Sequence, residues 1–555
     1  MNPALYFHTV RYLKPIQIFG RISFRLKAPK ISQSPAPETQ EISGSWVCPI
    51  PSSKSMVGQN HFCFLNETHE VQNQSSWNDP KLDKLWLYNL HYFDDLNAKD
   101  SNDRKEWHRS LIERWINENE VGNGNGWEPY PISLRIINWI KWALDGNRLQ
   151  PGWVYSLTMQ TRWLRQRLEW HLLGNHLFSN AKALFFAGAF FTGQEAQEWL
   201  TKGMHIISNE IHEQVLSDGG HFERSPMYHA LCLEDVLDLI NLSETYKEYR
   251  TQEWHDLCGV LKEVADRMFN WLDLMCHPDG EVPFFNDSNI GIAPAPSDLH
   301  AYAQRLSLST KNRDSRSIQY LDRSGYLRIE KGPIVALLDA APVGPDYLPG
   351  HAHADTLSFE CSLFGRRLVV NSGTSVYGTG AERTWQRSTA AHSTVTVNGE
   401  NSSEVWSGFR VARRAYPIDL NYHEKEDMLC VSCAHDGYRR LKGKPVHRRE
   451  WHLFQDRLIV RDSIEGGFSQ ASARYYFHPD ISLSCEDSGN KGMLWGKDDI
   501  RIQWQVKNGK GNVISSSYFP SFGLSIPNHC LEVEFSGNKS EVIFSWENNA
   551  HSISN

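Results

Sequence analysis

The chain has 555 residues and a formal charge of −8 at pH 7, with 57 Lys and Arg against 65 Asp and Glu. That length exceeds one ordinary core and implies at least two domains, and the acidic balance argues against a nucleic-acid partner. No run of about 18 apolar residues occurs, so no transmembrane segment is expected, and the ten cysteines, scattered through both halves, impose no disulfide framework.

Residues 1–79 read as an N-terminal arm. Its opening, MNPALYFHTVRYLKPIQIFGRISFRLKAPK, is basic and aromatic but lacks the apolar core and cleavage site of a signal peptide. It suits packing against the body or contact with an anionic membrane surface. Ser32–Gln40 is a Pro- and Ser-rich linker, and His61–Leu65 has the makings of a short strand. From Lys105 the pattern is helical: Trp107, Leu111 and Trp115 form a stripe that ends at Gly122–Gly126, and Pro131 suits the first turn of the next helix. Trp153–Leu172, His176–Phe191, Glu195–Leu216, Tyr228–Leu239 and Glu253–Cys276 follow with short connections. Paired helices of this kind predict an array of αα-hairpins over 80–320, a toroid or a bundle, with 281–320 read as loop.

Past Gly325 the grammar changes to short alternating segments, among them Tyr326–Glu330, Val335–Asp339, Leu357–Leu363 and Ala473–Phe477. Many strands without intervening helices predict a β-sandwich over 321–555. The fold class expected is therefore α+β multidomain: an incomplete α/α toroid followed by an antiparallel sandwich. Thr394–Val397 followed by Asn398-Gly399 carries a hairpin signal. Cys430 and Cys433 form a CxxC inside a strand, where they point to opposite faces and make a poor metal or redox pair. The 20 Trp and 20 Tyr suit either a large helical core or platforms under sugar rings.

Three stretches carry candidate chemistry. Gly174-Asn175-His176-Leu177 follows a helix, where Asn175 also suits a plain helix cap. DGGHFERSPMYH, 218–229, places Tyr228 in the first turn of a helix opened by Pro226; the bland alternative is a half-buried Tyr with a satisfied hydroxyl. GPDYLPGHAHADTLSFECSLFGRRLVVNSG, 344–373, has His351, His353 and Asp355 at two-residue spacing before a strand with one apolar parity, which predicts one buried face. His392 borders a further strand.

Taken together, LWLYNLHYFDDL, GWEPYPISLRIINW, GNHL, DGGHFERSPMYH, GHAHADTLSFE, NSGTSVYG and RSTAAHSTVTVNG resemble, in that order, the heparinase II/III family of polysaccharide lyases, especially its branch associated with surface-polysaccharide biosynthesis. The resemblance implies the toroid-plus-sandwich fold and β-elimination on an acidic, uronate-containing polysaccharide. It also implies roles. Asn175 would neutralise the uronate carboxylate, His176 would assist or act as base, Tyr228 would be general acid, and His351 would close the site from the second domain. Glu223, His229 and Trp127 are the expected substrate contacts. No cofactor is required, but a structural zinc is implied at His353, Asn371 and His392. Asn371 departs from the family's Asp, and an amide is a poor zinc ligand, which leaves a hydrogen-bonded cluster as the alternative. The same resemblance implies a periplasmic or cell-envelope location, against an N-terminus without an ordinary export signal, so the cytoplasm stays open. The oligomeric state has no signal in the sequence.

Two other classes compete. A glycoside hydrolase needs paired carboxylates, for which Asp218 with Glu223 or Asp279 with Glu281 are the nominees. A non-catalytic polysaccharide-binding or assembly factor is the other.

Overall fold

A computed structural model describes residues 3–308, 316–486, 489–497 and 500–547. The elements follow the two sequence grammars, mainly helices first and strands after. Helices α1 (Pro3–Val10) and α2 (Pro15–Leu26) precede a three-stranded sheet over Met56–Glu70. The helical body comprises α3 (Lys84–Tyr92), α4 (Lys105–Glu118), α5 (Pro129–Leu144), α6 (Pro151–Gln166), α7 (Gly174–Phe190), α8 (Gly193–Gln214), α9 (Pro226–Thr245) and α10 (Gln252–Met275). A further helix, α11 (Pro296–Arg305), lies in the stretch that the sequence reads as loop; Pro296 opens it, which is where a proline costs no hydrogen bond.

Helix α7 is nearly buried all round, because α5, α8 and α9 pack against it. Ala and Gly let the neighbours in: a Cβ on Gly188 would stand 2.4 Å from the Leu200 backbone, and one on Gly203 2.8 Å from that of Phe185. The Trp-rich sequence here is core. Trp77, Trp86, Trp115, Trp139, Trp199 and Trp254 are fully buried.

The second half packs two antiparallel sheets. One has nine strands and runs from Gly509–Tyr518 at one edge, through Ala471–Phe477 and Phe359–Leu363, to Ile318–Leu321 at the other. The other has eight strands, from Pro417–Lys425 to Ser482–Cys485. Trp451, Trp504 and Phe544 meet Phe359, Leu338 and Tyr475 between them. The 395–397 strand pairs with Ala471–Ala473, and Asn398 and Gly399, at φ 55° and 73°, make the expected tight turn, which a bridge from Glu400 back to Val397 closes.

The strand Phe359–Leu363 departs from the one-sided burial expected: all five residues are buried. Its polar parity faces the helical half. Glu360 accepts hydrogen bonds from the Phe284 and Asn371 amides and pairs with His277 at 3.0 Å, and Ser362 pairs with the other nitrogen of His277 at 2.8 Å. The outer face of this sheet is thus the interdomain seam, and Glu360, Ser362 and His277 survive buried there because each has a partner.

Candidate functional site

The seam gathers residues from both halves. Leu173 and Gly174 both take positive φ, 64° and 56°, a sharp entry that sets Asn175 and His176 in the first turn of α7. For Leu173 that conformation is strained, as backbone at functional sites often is. A Cβ on Gly174 would stand 2.4 Å from Leu348 Cδ2, so glycine lets the loop bearing His351 approach. Asn175 is half-buried, and among the described residues nothing hydrogen-bonds its amide. His176 Nδ1 lies 3.2 Å from Glu169 Oε1, and its ring packs on Tyr130 at 4.6 Å. Burial alone would lower the His176 pKa, but the Glu169 carboxylate lifts it above the ordinary value.

At the start of α9, Ser225 caps the Tyr228 amide at 3.1 Å. The Tyr228 ring stacks on His351 at 3.9 Å, and its hydroxyl lies 3.1 Å from that of Tyr377. Burial first, then the neighbouring Tyr377 and Asp287, hold the Tyr228 phenol well above its usual pKa. It is therefore protonated at neutral pH, which is the state a proton donor needs.

His351 stands between two carboxylates. Its Nδ1 is 3.0 Å from Asp287, and its Nε2 is 3.7 Å from Glu223. Asp287 also meets His353 Nε2 at 2.8 Å and takes a two-pronged ion pair from Arg383, one arm at 2.7 Å. Burial alone would raise the Asp287 carboxyl; Arg383 and the two histidines hold it well below the ordinary range. Around it the segment Asn286–Ser288 clips the halves together. Asn286 donates to the Arg224 carbonyl and accepts from the His353 amide, while Ser225 donates to the Asp287 carbonyl.

Glu223 is the contrast. It is 2 % exposed, and among the described residues neither carboxylate oxygen has a hydrogen-bond partner. Burial pushes its pKa up, against the pull of His351 and His176.

The expected zinc site is not there. Among the described residues no group of three or more His, Cys, Asp or Glu is arranged to hold a metal ion. The three expected ligands are used within the protein. His353 Nδ1 and His392 Nε2 are 3.0 Å apart, His392 Nδ1 donates to the Ser388 carbonyl, and Asn371 accepts from the Ser393 amide and donates to Ser358. Burial pushes the His353 pKa down to about 4, with Asp287 opposing.

Two expected substrate contacts also fall away from the seam. His229 is fully buried; its Nε2 lies 3.0 Å from the Met268 carbonyl, and its ring stacks on Trp271. Adjacent helical residues point about 100° apart, so Tyr228 and His229 cannot face the same space. Trp127 is 4 % exposed and sits between Trp115 and Trp163 as core. Conversely, Glu169, Asp287, Tyr377 and Arg383 join the cluster without having been expected there. Tyr377 lies in the NSGTSVYG stretch and Glu169 just before GNHL, so proximity to a motif was the available signal. Asp287 sits in a Pro- and Asn-rich loop that reads only as turn.

One carboxylate of each hydrolase pair is committed elsewhere, while Glu223 stays in the cluster. Asp218 accepts from the amides of Gly220, Arg323 and Ser324, and Asp279 pairs with Arg367 at 2.7 Å. A surface hollow lined by Arg165, Glu198, Lys202 and His205 shares no residue with the cluster.

Comparison with known proteins agrees with this architecture. Residues 91–312 match the heparinase II/III N-terminus and 313–547 the heparinase II/III-like C-terminal domain. A heparin-sulfate lyase of Bacteroides stercoris is 29% identical over 342 residues, 57% of this chain and 47% of that one. FtsZ-localized protein C of Caulobacter vibrioides is 25% identical over 376 residues, 64% of this chain and 61% of its own length. The matches thus span about half to three-fifths of these two relatives. A crystal structure of heparinase III superposes with a TM-score of 0.65 at 17% identity, covering 87% of this chain and 79% of that one, a likeness of fold. With both halves matched in order, the chain belongs to the heparinase II/III-like family.

Proposed function

We propose that the protein is a polysaccharide lyase that cuts a uronate-containing chain by β-elimination, acting at the cell envelope. The observation that carries this reading is a protonated, buried phenol, Tyr228, stacked on His351 from the other half of the molecule and served by the same seam as the open amide of Asn175. In the reaction, Asn175 donates to the uronate carboxylate and offsets its charge, which makes the C5 proton acidic enough to remove. His176, oriented by Glu169, takes that proton. The electron pair forms the C4–C5 double bond, the C4–O bond breaks, and Tyr228 protonates the leaving oxygen. Tyr377, 3.1 Å from Tyr228, fixes the direction of that hydroxyl. The raised phenol disfavours Tyr228 as the base, so the proton-abstracting role falls to His176. Glu223, with two acceptors unpaired among the described residues, suits a pair of sugar hydroxyls.

The test is incubation of the protein with unsulfated, sulfated and alginate-like uronate polymers, followed by mass and ultraviolet analysis. Elimination gives unsaturated, ultraviolet-absorbing uronate ends and adds no water. Products carrying one added water per cut would establish hydrolysis instead, and tight binding without cleavage of any uronate polymer would favour the non-catalytic reading.

A further inference from the structure

The N-terminal arm is folded inside out. On α2 the inward residues are Gln17, Gly20 and Phe24: Gln17 donates to the Tyr347 carbonyl at 3.2 Å, a Cβ on Gly20 would meet the His171 backbone at 3.0 Å, and Phe24 packs on His171 at 4.5 Å. Its outward face is apolar. Ile18, Phe19, Ile22 and Leu26 recur at helical spacing, Phe19 70% and Leu26 80% exposed, and α1 adds Phe7 and Val10. A soluble helix ordinarily shows the reverse arrangement.

This face is held, not loose. Helix α1 is fixed to the sandwich half, where Trp406 donates to Thr9 at 3.1 Å and meets Tyr6 edge-on at 4.8 Å. Helix α2 is fixed to the helical half, where Arg167 donates to the Lys27 carbonyl at 3.1 Å. Between them Lys14 lies over the Tyr347 ring at 3.8 Å, on the loop that ends in His351.

The charge distribution names the occupant. Residues 1–30 hold six Lys and Arg and no Asp or Glu, so the remainder of the chain stands at −14 within a total of −8. An anionic surface repels the body and attracts this arm. Exposed apolar side chains flanked by cations on a surface helix are the chemistry that partitions into a headgroup layer; a polyanionic glycan would use the cations but leave the apolar face in water. We infer that α1 and α2 dock the protein on the surface of an anionic phospholipid bilayer, without crossing it. The docked arm spans both halves, so it would hold the seam at a fixed height above the bilayer. This inference is independent of the lyase reading.

The experiment is co-sedimentation of the full chain with vesicles of phosphatidylcholine alone and of phosphatidylcholine with phosphatidylglycerol. The expected result is a bound fraction at least about tenfold higher on the anionic vesicles, falling as salt is raised. Replacing the apolar face (Phe19→Ser, Ile22→Ser, Leu26→Ser) should bring binding down to the phosphatidylcholine level, and Arg21→Glu with Arg25→Glu should do the same. These side chains are exposed, so circular dichroism should be unchanged. Failure to sediment with anionic vesicles, or equal sedimentation of wild type and apolar-face variant, overturns the inference. So does a change of oligomeric state in the variant with no change in vesicle binding, since the face would then join copies of the chain.

Discussion

Two buried carboxylates flank the same imidazole, and they are built in opposite ways. Asp287, from the connecting loop, is saturated: Arg383, His351 and His353 all point at it. Glu223, from the helical half, faces His351 at 3.7 Å with no hydrogen bond to either oxygen among the described residues. One pKa is held far down and the other is pushed up. The difference separates two tasks. A saturated carboxylate fixes geometry, here the orientation of His351 and the joint between the halves. An unsaturated one is costly in the free protein and is tolerated where a ligand completes it.

The largest expected effect on stability comes from the saturated side. Asp287→Asn leaves Arg383 buried without its counter-charge, and breaking such a pair costs on the order of 3–5 kcal/mol, measurable by denaturant unfolding. A loss below about 1 kcal/mol would mean that the hub is not what joins the halves. The pH dependence has a definite sign. Because the folded pKa is depressed, the stabilisation from Asp287 is fully present above the unfolded carboxylate value of about 3.9 and is lost as pH falls through the folded one.

Glu223→Gln should do the reverse, raising stability at pH 7 by on the order of 1 kcal/mol while weakening substrate binding. Here the folded pKa is raised, so wild type carries no penalty below about pH 4.3, the unfolded value. The penalty grows as pH climbs through the folded pKa, and the gain from the variant should therefore shrink on acidification. A Gln variant that is less stable at neutral pH would show that the carboxylate has hidden partners and that the contrast with Asp287 is false.

The smallest effect belongs to the outer pair. Glu169→Gln removes the charge that lifts the His176 pKa, so the acid limb of the kcat profile should move to lower pH with little change in stability. An unmoved limb would take His176 out of the role of base.

How much of this was legible in the sequence depends on what fixes each feature. The two grammars of period 3.6 and period 2 exposed the helical and sheet halves, because each half buries its own core. The motifs that carry the family resemblance brought Asn175, His176, Tyr228, Glu223 and His351 into view, and the structure sets them along one seam. His229 and Trp127 were misplaced because a motif does not say which way a side chain points; α9 turns His229 onto Trp271, and Trp127 fills the indole cluster. The zinc reading failed at Asn371, whose amide is engaged with Ser393 and Ser358. Asp287 was invisible, since its importance lies in partners as far as 96 residues away in the chain.

The most direct measurement is kcat of Tyr228→Phe on whichever uronate polymer the wild type cleaves. The substitution keeps the ring on His351 and deletes only the hydroxyl. If that hydroxyl protonates the leaving oxygen, kcat should fall roughly 10²–10⁴-fold with polysaccharide affinity nearly unchanged. Turnover close to wild type would contradict the assignment of Tyr228 and, with it, the proposed elimination at this seam.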